Sequence, residues 1–429
     1  MHQSLADVDV LLDSLNLAMP EGTGIKTYGR QLVSVLKELG ANTELLVSAR
    51  TSCDSLIGRA LLYDPAERRE KHLRGWHRIF KSDMRFRFRK AVHIPHANGS
   101  SGMHVPDSVF PHGMGCSVIF NCYKAARVIQ EKRRIISTFQ TEKKYRIWHA
   151  TQPLSLRHKE AIQITTIHDL IPLLQPHVCD ESRQPFHQRV KESVQWSRAI
   201  AVVSESAKTD LLNHFDVPEE KIVVTHLFSE MSGEPCAPQT MERVMKSYNL
   251  EPQNYILFVG ALEPRKNIQR LIEAYISLGS DQTLVLAGRI GWGGEDELKL
   301  LKHIARRRGQ DVRLLSYVPQ AALPALYQGA TCLAFPSLCE GFGLPVLEAM
   351  TSGCPVVCSS TSSLPEVAGD AAEYVDPMSV ESIADGIGKI LDDSFYRDAL
   401  IRKGYERAAF FSRERYAGKI AELYNKALA

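Results

Sequence analysis

The segment Phe335-Pro-Ser-Leu-Cys-Glu340-Gly341-Phe342-Gly343-Leu344-Pro345-Val-Leu-Glu348-Ala-Met-Thr-Ser-Gly353-Cys-Pro355-Val-Val passes from a strand through a glycine-spaced loop into a short helix and on to another strand. Leu333–Pro336 and Pro355–Cys358 are short apolar runs bounded by turn residues, the pattern of strands buried on both faces. Pro345 opens the predicted helix Pro345–Thr351, at a position where an N–H would have no intrahelical partner, and Gly353 ends it. The loop and the first helical turn thus bring free backbone N–H groups to a strand's carboxyl end, which favours an anion. Glu340 and Glu348 flank that place. Carboxylates would repel a diphosphate, so they suit hydrogen bonds from hydroxyls, one from the transferred sugar and one from the ribose. The plainer alternatives are a helix cap at Glu340 and a solvated helix position at Glu348.

The same grammar extends outward in both directions. Tyr255–Val259 reads as a strand, and Gly260 and the run Glu263-Pro264-Arg265-Lys266-Asn267 follow it, leading into a helix over Asn267–Ile276. Arg265 and Lys266 there either neutralise charge developing on a departing diphosphate or form a solvated basic loop. Thr283–Ala287 and Val312–Leu315 are further strands. In the first half, Val8–Leu15 is a strand, Gly22-Thr23-Gly24 a small-residue turn, and Thr27–Leu39 an amphipathic helix ended by Gly40 before the strand Thr43–Val47. The turn either lets backbone approach a ligand or is simply tight. Ile162–Ile167 delivers His168 and Asp169 to a strand end, where they act on a ligand or serve as structural bonds and caps. Ala199–Val203 is another strand, with Ser204 or Ser206 capping the helix after it. Two βα arrays separated by the polar stretch Ser229–Asn249 predict an α/β chain of two doubly wound, Rossmann-like parallel-sheet domains facing a cleft. Ligands collect at the strands' carboxyl ends in such folds.

Length and composition agree. The 429 residues exceed one compact core, and 44% apolar with 24% charged residues is ordinary for a globular enzyme. No apolar run nears the ~20 residues of a membrane span. The N-terminal stretch is acidic where a secretory signal is basic, so a cytoplasmic location is expected. Nine cysteines (Cys53, Cys116, Cys122, Cys179, Cys236, Cys332, Cys339, Cys354, Cys358) without a CxxC pair read as free thiols rather than a disulfide frame or zinc site. Asp7-Val8-Asp9 spells a metal-binding DxD, but it opens the first strand, at the end away from ligands. His93, His96, His104 and His112 fit no common metal spacing, so no metal is expected. Net charge is only +3, yet ten Lys/Arg against Glu70 and Asp83 lie between Arg68 and Lys90, with Trp76, Phe80, Phe86 and Phe88 interleaved. That stretch is a solvated helical face or a peripheral contact with inner-leaflet lipid. It carries no nucleic-acid motif.

The Glu340–Glu348 segment resembles the two-glutamate signature (Glu, seven residues, Glu) of family 4 retaining glycosyltransferases, which have the GT-B fold. The resemblance continues at Tyr255-Ile-Leu-Phe-Val-Gly260-Ala-Leu-Glu263-Pro-Arg265-Lys266-Asn267-Ile268, at Ser316-Tyr317-Val318-Pro319 with Leu323–Tyr327, and at Ser363-Leu364-Pro365-Glu366-Val367. In the first half it holds at Trp148-His-Ala-Thr, Thr166-Ile-His168-Asp169-Leu-Ile-Pro and Val203-Ser204-Glu-Ser206, and fades between Ser48 and Arg146. It implies an acceptor-binding domain over residues 1–232, a nucleotide-sugar-binding domain over 233–411, and a helix in 412–429 packing back on the first. It implies catalytic roles for His168, Glu340, Arg265 and Lys266. Donor binding would fall to Gly24, Gly260, Val318, Gly341, Phe342, Gly343, Leu344 and Glu348, with Asp169 on the acceptor side. The implied mechanism is front-face attack with retention, without metal or cofactor. The wording of these segments is similar to bacterial surface-polysaccharide and O-antigen mannosyltransferases and to rhamnosyltransferases, with mannose favoured. GDP-mannose is therefore the expected donor and a glycan or lipid-linked glycan the expected acceptor. A nucleotide-sugar epimerase of related fold and a non-catalytic sugar-nucleotide binder are the alternatives.

Overall fold

The structure is a computed structural model and describes residues 4–17, 24–49, 90–94, 114–292 and 295–429. The basic stretch 68–89, Gly22 and Thr23, Cys53, His96, His104 and His112 lie outside the described residues.

The strands are β1 Asp9–Asp13, β2 Asn42–Ala49, β3 Lys90–Ile94, β4 Cys116–Phe120, β5 Ser137–Thr141, β6 Ile147–Ala150, β7 Leu156–His158, β8 Ile162–Ile167, β9 Ala199–Val202, β10 Ile222–Val224, β11 Tyr255–Val259, β12 Thr283–Ala287, β13 Val312–Leu315, β14 Cys332–Phe335, β15 Val356–Ser359 and β16 Ala372–Val375. They form two sheets, ordered β10-β9-β8-β6-β1-β2-β4-β3-β5-β7 and β13-β12-β11-β14-β15-β16. The second sheet is parallel throughout. Its central strands read Tyr-Ile-Leu-Phe-Val and Cys-Leu-Ala-Phe because helices cover both faces. The first sheet is parallel from β10 to β4, but β3 meets β4 antiparallel. β5 and β7 follow the direction of β3, so this edge runs against the rest.

In both sheets the chain leaves the carboxyl ends into the segments singled out above. His168 follows β8, Ser204 follows β9, Gly260 follows β11 and Glu340 follows β14. The C-terminal helix Arg413–Leu428 crosses back to the first sheet. Arg413 pairs with Glu38 at 3.0 Å, and the Tyr424 hydroxyl meets His149 Nδ1 at 2.8 Å.

One contact sets how closely the second sheet's strand ends approach. A Cβ built on Gly288, just after β12, would lie 1.8 Å from the Gly260 carbonyl oxygen, while Gly260 itself has φ +147°. Backbone cannot yield as a flexible side chain would. Gly288→Ala is therefore expected to destabilise the protein by at least about 2 kcal/mol. An unchanged denaturant midpoint for this variant would refute the close approach.

Candidate active site

Arg265, Lys266 and Glu340 come from different loops and meet at the carboxyl ends of β11 and β14. Pro264–Lys266 is a single tight turn, after which Asn267 takes a left-handed conformation (φ 60°) and opens the helix Ile268–Leu278. The Asn267 amide donates to the carbonyls of Pro336 and Pro377 at 3.0 and 2.7 Å, which ties this turn to the loop after β14. Leu338 N–H donates to the Arg265 carbonyl at 2.8 Å.

The result is a buried charge cluster. Lys266 Nζ donates to Glu340 Oε1 at 2.5 Å, and Arg265 Nη1 donates to Glu340 Oε2 at 3.0 Å. Arg265 also reaches Glu263 at 3.2 Å, and Lys266 lies 4.5 Å over the Phe335 ring. Burial pushes Lys266 down to about 8, against the attraction of Glu340. Burial alone would raise Glu340, but Lys266 and Arg265 hold it below the ordinary carboxylate range. Glu340 does not cap the following helix. Gly343 occupies that position at φ +101° with no side-chain cap. In the sequence the two cations and this carboxylate stand in separate segments; in the structure they form one ion-paired unit.

The loop between them is fixed from both sides. Ser363 Oγ lies 2.9 Å from the carbonyls of Glu340 and Phe342, and Ser362 Oγ accepts from the Glu340 N–H at 2.9 Å. From the first half, Ser204 Oγ donates to the Gly341 carbonyl at 2.7 Å while accepting from Ala207 N–H, so one hydroxyl caps a helix and holds the loop. A Cβ on Gly341 would lie 2.7 Å from the His168 carbonyl oxygen and 3.2 Å from Asp169 Oδ2. The two halves therefore touch at Gly341, with His168 and Asp169 opposite the Glu340 loop.

His168 Nε2 lies 2.8 Å from the Thr151 carbonyl oxygen. A carbonyl only accepts, so Nε2 carries the proton and Nδ1 is the acceptor nitrogen. Burial pushes the imidazole down to about 4, keeping it neutral at physiological pH. Asp169 Oδ1 accepts from Ile171 N–H at 3.0 Å, the capping bond expected of a structural aspartate, and burial raises its pKa.

Glu348 stands one helical face further on, half-buried rather than solvated, and accepts from the Tyr327 hydroxyl at 2.9 Å. Burial pushes it up to about 7. A carboxyl that binds its proton more tightly when folded makes stability fall as pH rises from about 4.5 to 7, with the full penalty above that. Glu348→Gln, which keeps an acceptor for Tyr327, is expected to gain on the order of 1–2 kcal/mol relative to wild type between pH 5 and pH 8. Parallel pH-stability curves for the two proteins would contradict this.

The other predicted positions fall on the same rim or apart from it. Gly24 is the first residue of the helix Gly24–Glu38, and among the described residues nothing lies within 4 Å of a Cβ built on it. Val318 is half-buried in the loop after β13. Phe342 is buried against His226 and Phe411, so its side chain is packing and only its backbone faces the loop. Asp9 of the DxD pairs with Lys143 at 2.9 Å, and His93 pairs with Glu44 at 3.1 Å. Among the described residues no group of three or more His, Cys, Asp or Glu is placed to hold a metal.

Two connections have no local signature in the sequence. Glu366 accepts from the N–H groups of Glu205 and Ser206 at 2.7 and 3.1 Å and meets His226 at 2.6 Å, linking the second half to a helix of the first. A buried chain, Tyr424–His149–Thr166–Tyr28, ends with the Tyr28 ring edge-on to His168 at 4.8 Å.

Two facing α/β halves place a cation pair and a glycine loop at the strand ends, an arrangement suited to an anionic ligand. Residues 241–407 match the model of the glycosyl transferases group 1 family. The chain is 37% identical over 264 residues to O-antigen chain mannosyltransferase B of Escherichia coli, covering 60% of this chain and 69% of that one. It is 31% identical over 248 residues to O-antigen chain mannosyltransferase RfbU of Salmonella typhimurium, covering 57% and 64%. In structure it is similar to Anabaena Alr3699/HepE in complex with UDP-glucose, with TM-score 0.64, 15% identity and coverage of 97% and 98%. This chain belongs to the group 1 glycosyl transferases and has the GT-B fold.

Proposed function

We propose that this glycosyltransferase moves mannose from GDP-mannose to a hydroxyl of a growing surface glycan, retaining the anomeric configuration and using no metal. The observation that carries the reading is the Arg265–Lys266–Glu340 cluster lying against the Gly341 loop and facing His168. The choice of mannose rests on the mannosyltransferase relatives, at up to 37% identity.

The donor diphosphate takes Arg265 and Lys266 away from Glu340, and the first-turn N–H groups at Gly341–Leu344 share its charge. Glu340, released from its counter-ions, accepts from hydroxyls of the transferred sugar. Glu348 accepts from the ribose. His168, with Nδ1 unprotonated, accepts a sugar hydroxyl and supplies no proton. The anomeric carbon–phosphate oxygen bond breaks as the acceptor oxygen bonds on the same face, and the acceptor proton passes to the leaving phosphate oxygen. Gly24, Gly260 and Val318 line the donor, and Asp169 stands on the acceptor side. A lipid-linked acceptor places the reaction at the inner face of a membrane. No helix among the described residues is long and apolar enough to cross one.

The test is thermal stability against GDP-, UDP-, dTDP- and ADP-sugars, with EDTA throughout. A melting shift confined to the guanine donor is expected from mass action. A shift with a uracil donor alone, or one that needs a divalent ion, would overturn the donor assignment or the metal-free reading respectively.

A further inference from the structure

A second concavity lies in the first half, away from the cleft. Its cavity volume is about 410 Å³, and Arg157, Gln188, Lys191, Glu192 and Trp196 give it its chemistry. Trp196 closes the helix Arg183–Trp196 just before β9 begins, whereas Ser204 follows where β9 ends. The α-helical wall of the pocket therefore lies at the amino end of β9, whereas His168 follows the carboxyl end of the neighbouring β8. None of its lining residues belongs to the charge cluster described above.

Two features mark it as built for a ligand. Trp196 remains 42% exposed although the Arg157 guanidinium stacks 3.8 Å from its ring centroid, so the indole is held in place with apolar surface on offer. Glu192 is only 9% exposed; its Oε1 accepts from Gln188 at 2.7 Å, while its buried Oε2 has no partner. Buried polar atoms are nearly always satisfied, so the unpartnered oxygen of a carboxylate in the pocket wall points to an absent hydroxyl-bearing guest. The volume lies in the range of small-molecule sites.

We propose that this pocket is a second saccharide site, which holds a remote stretch of the glycan acceptor while its growing end lies in the cleft. A sugar ring presents an apolar C–H face to Trp196 and hydroxyls to Glu192, Gln188 and Arg157, which is the chemistry the pocket displays. A lipid surface fits less well, since the wall is concave and carries the Glu192 carboxylate, which opposes anionic headgroups. The role as a remote anchor rests on the glycan-transfer reading above, but occupancy of the pocket does not.

The test is binding of α-linked mannohexaose by the full chain, followed by saturation-transfer NMR and calorimetry. Trp196→Ala is expected to weaken it at least tenfold and Glu192→Gln several-fold, with both variants keeping the wild-type melting curve. Transfer to mannohexaose should then fall about tenfold in Trp196→Ala, while transfer to methyl α-mannoside stays at the wild-type rate. Absence of mannohexaose binding up to ~10 mM would overturn the proposal. So would binding indifferent to both substitutions, an equal effect on the two acceptors, or capture of phosphatidylglycerol vesicles through Trp196 in place of the sugar. If wild type transfers to neither acceptor, the glycan-transfer reading fails, and the binding measurements still decide the pocket.

Discussion

Lys266→Ala is expected to lower the transfer rate by roughly 10²–10³-fold, the loss found when one fixed charge or donor is withdrawn from a developing oxyanion. Lys266 is buried and shares Glu340 with Arg265, so its charge is positioned before any substrate arrives. Reorganisation is then small when the diphosphate departs. Removing Lys266 leaves Glu340 with Arg265 alone, so some loss of stability is also expected. Pairing it with Glu340→Gln separates the two effects. The double variant should recover stability, because no buried carboxylate is left short of a counter-ion, and should not recover turnover. Recovery of turnover in the double variant would show that Lys266 serves only to neutralise Glu340.

Gly341→Ala should cost about 10²-fold in kcat while leaving the affinity for free GDP within about threefold. The added Cβ would press on the His168 carbonyl oxygen at 2.7 Å, so the first half cannot seat against the loop. In the proposed reading the diphosphate and ribose are gripped by Arg265, Lys266, Glu348 and the loop amides, all of the second half. His168 would be displaced from the transferred sugar by about an ångström, the scale at which positioning fails. Calorimetry with GDP, beside steady-state rates, checks the split. Equal losses in affinity and kcat would mean that the substitution deforms the donor site itself.

Legibility in the sequence tracks how local each interaction is. β11, β12, β14 and β15 are continuous apolar runs bounded by glycine, proline or polar turns, and the sequence reading places each within a residue of its observed bounds. β16 escapes because Ala-Glu-Tyr-Val is short and carries a half-exposed charge at a sheet edge. β5 and β7, five and three residues long, likewise lack a pattern strong enough to show, and their reversed direction follows from the antiparallel β3–β4 pair. That Arg265, Lys266 and Glu340 come close to one another and to the loop opposite His168 was legible because each follows a strand whose carboxyl end faces the cleft. Their pairing was not. The Lys266–Glu340 bond spans 74 positions and Glu366–His226 spans 140, distances over which no periodicity carries information. Phe342 is a similar case, a loop residue by sequence whose ring is in fact part of the packing around His226 and Phe411.

In the proposed reading a fixed cation pair, rather than a metal, carries the leaving diphosphate of a mannosyl donor. Its most direct test is GDP release from GDP-mannose with a mannan oligosaccharide acceptor in EDTA, with product mannose counted and its anomeric configuration read by NMR. One GDP per α-linked mannose, undiminished by EDTA and lost with Lys266→Ala, is the result expected. GDP release that stops in EDTA and returns with added divalent ion would contradict it.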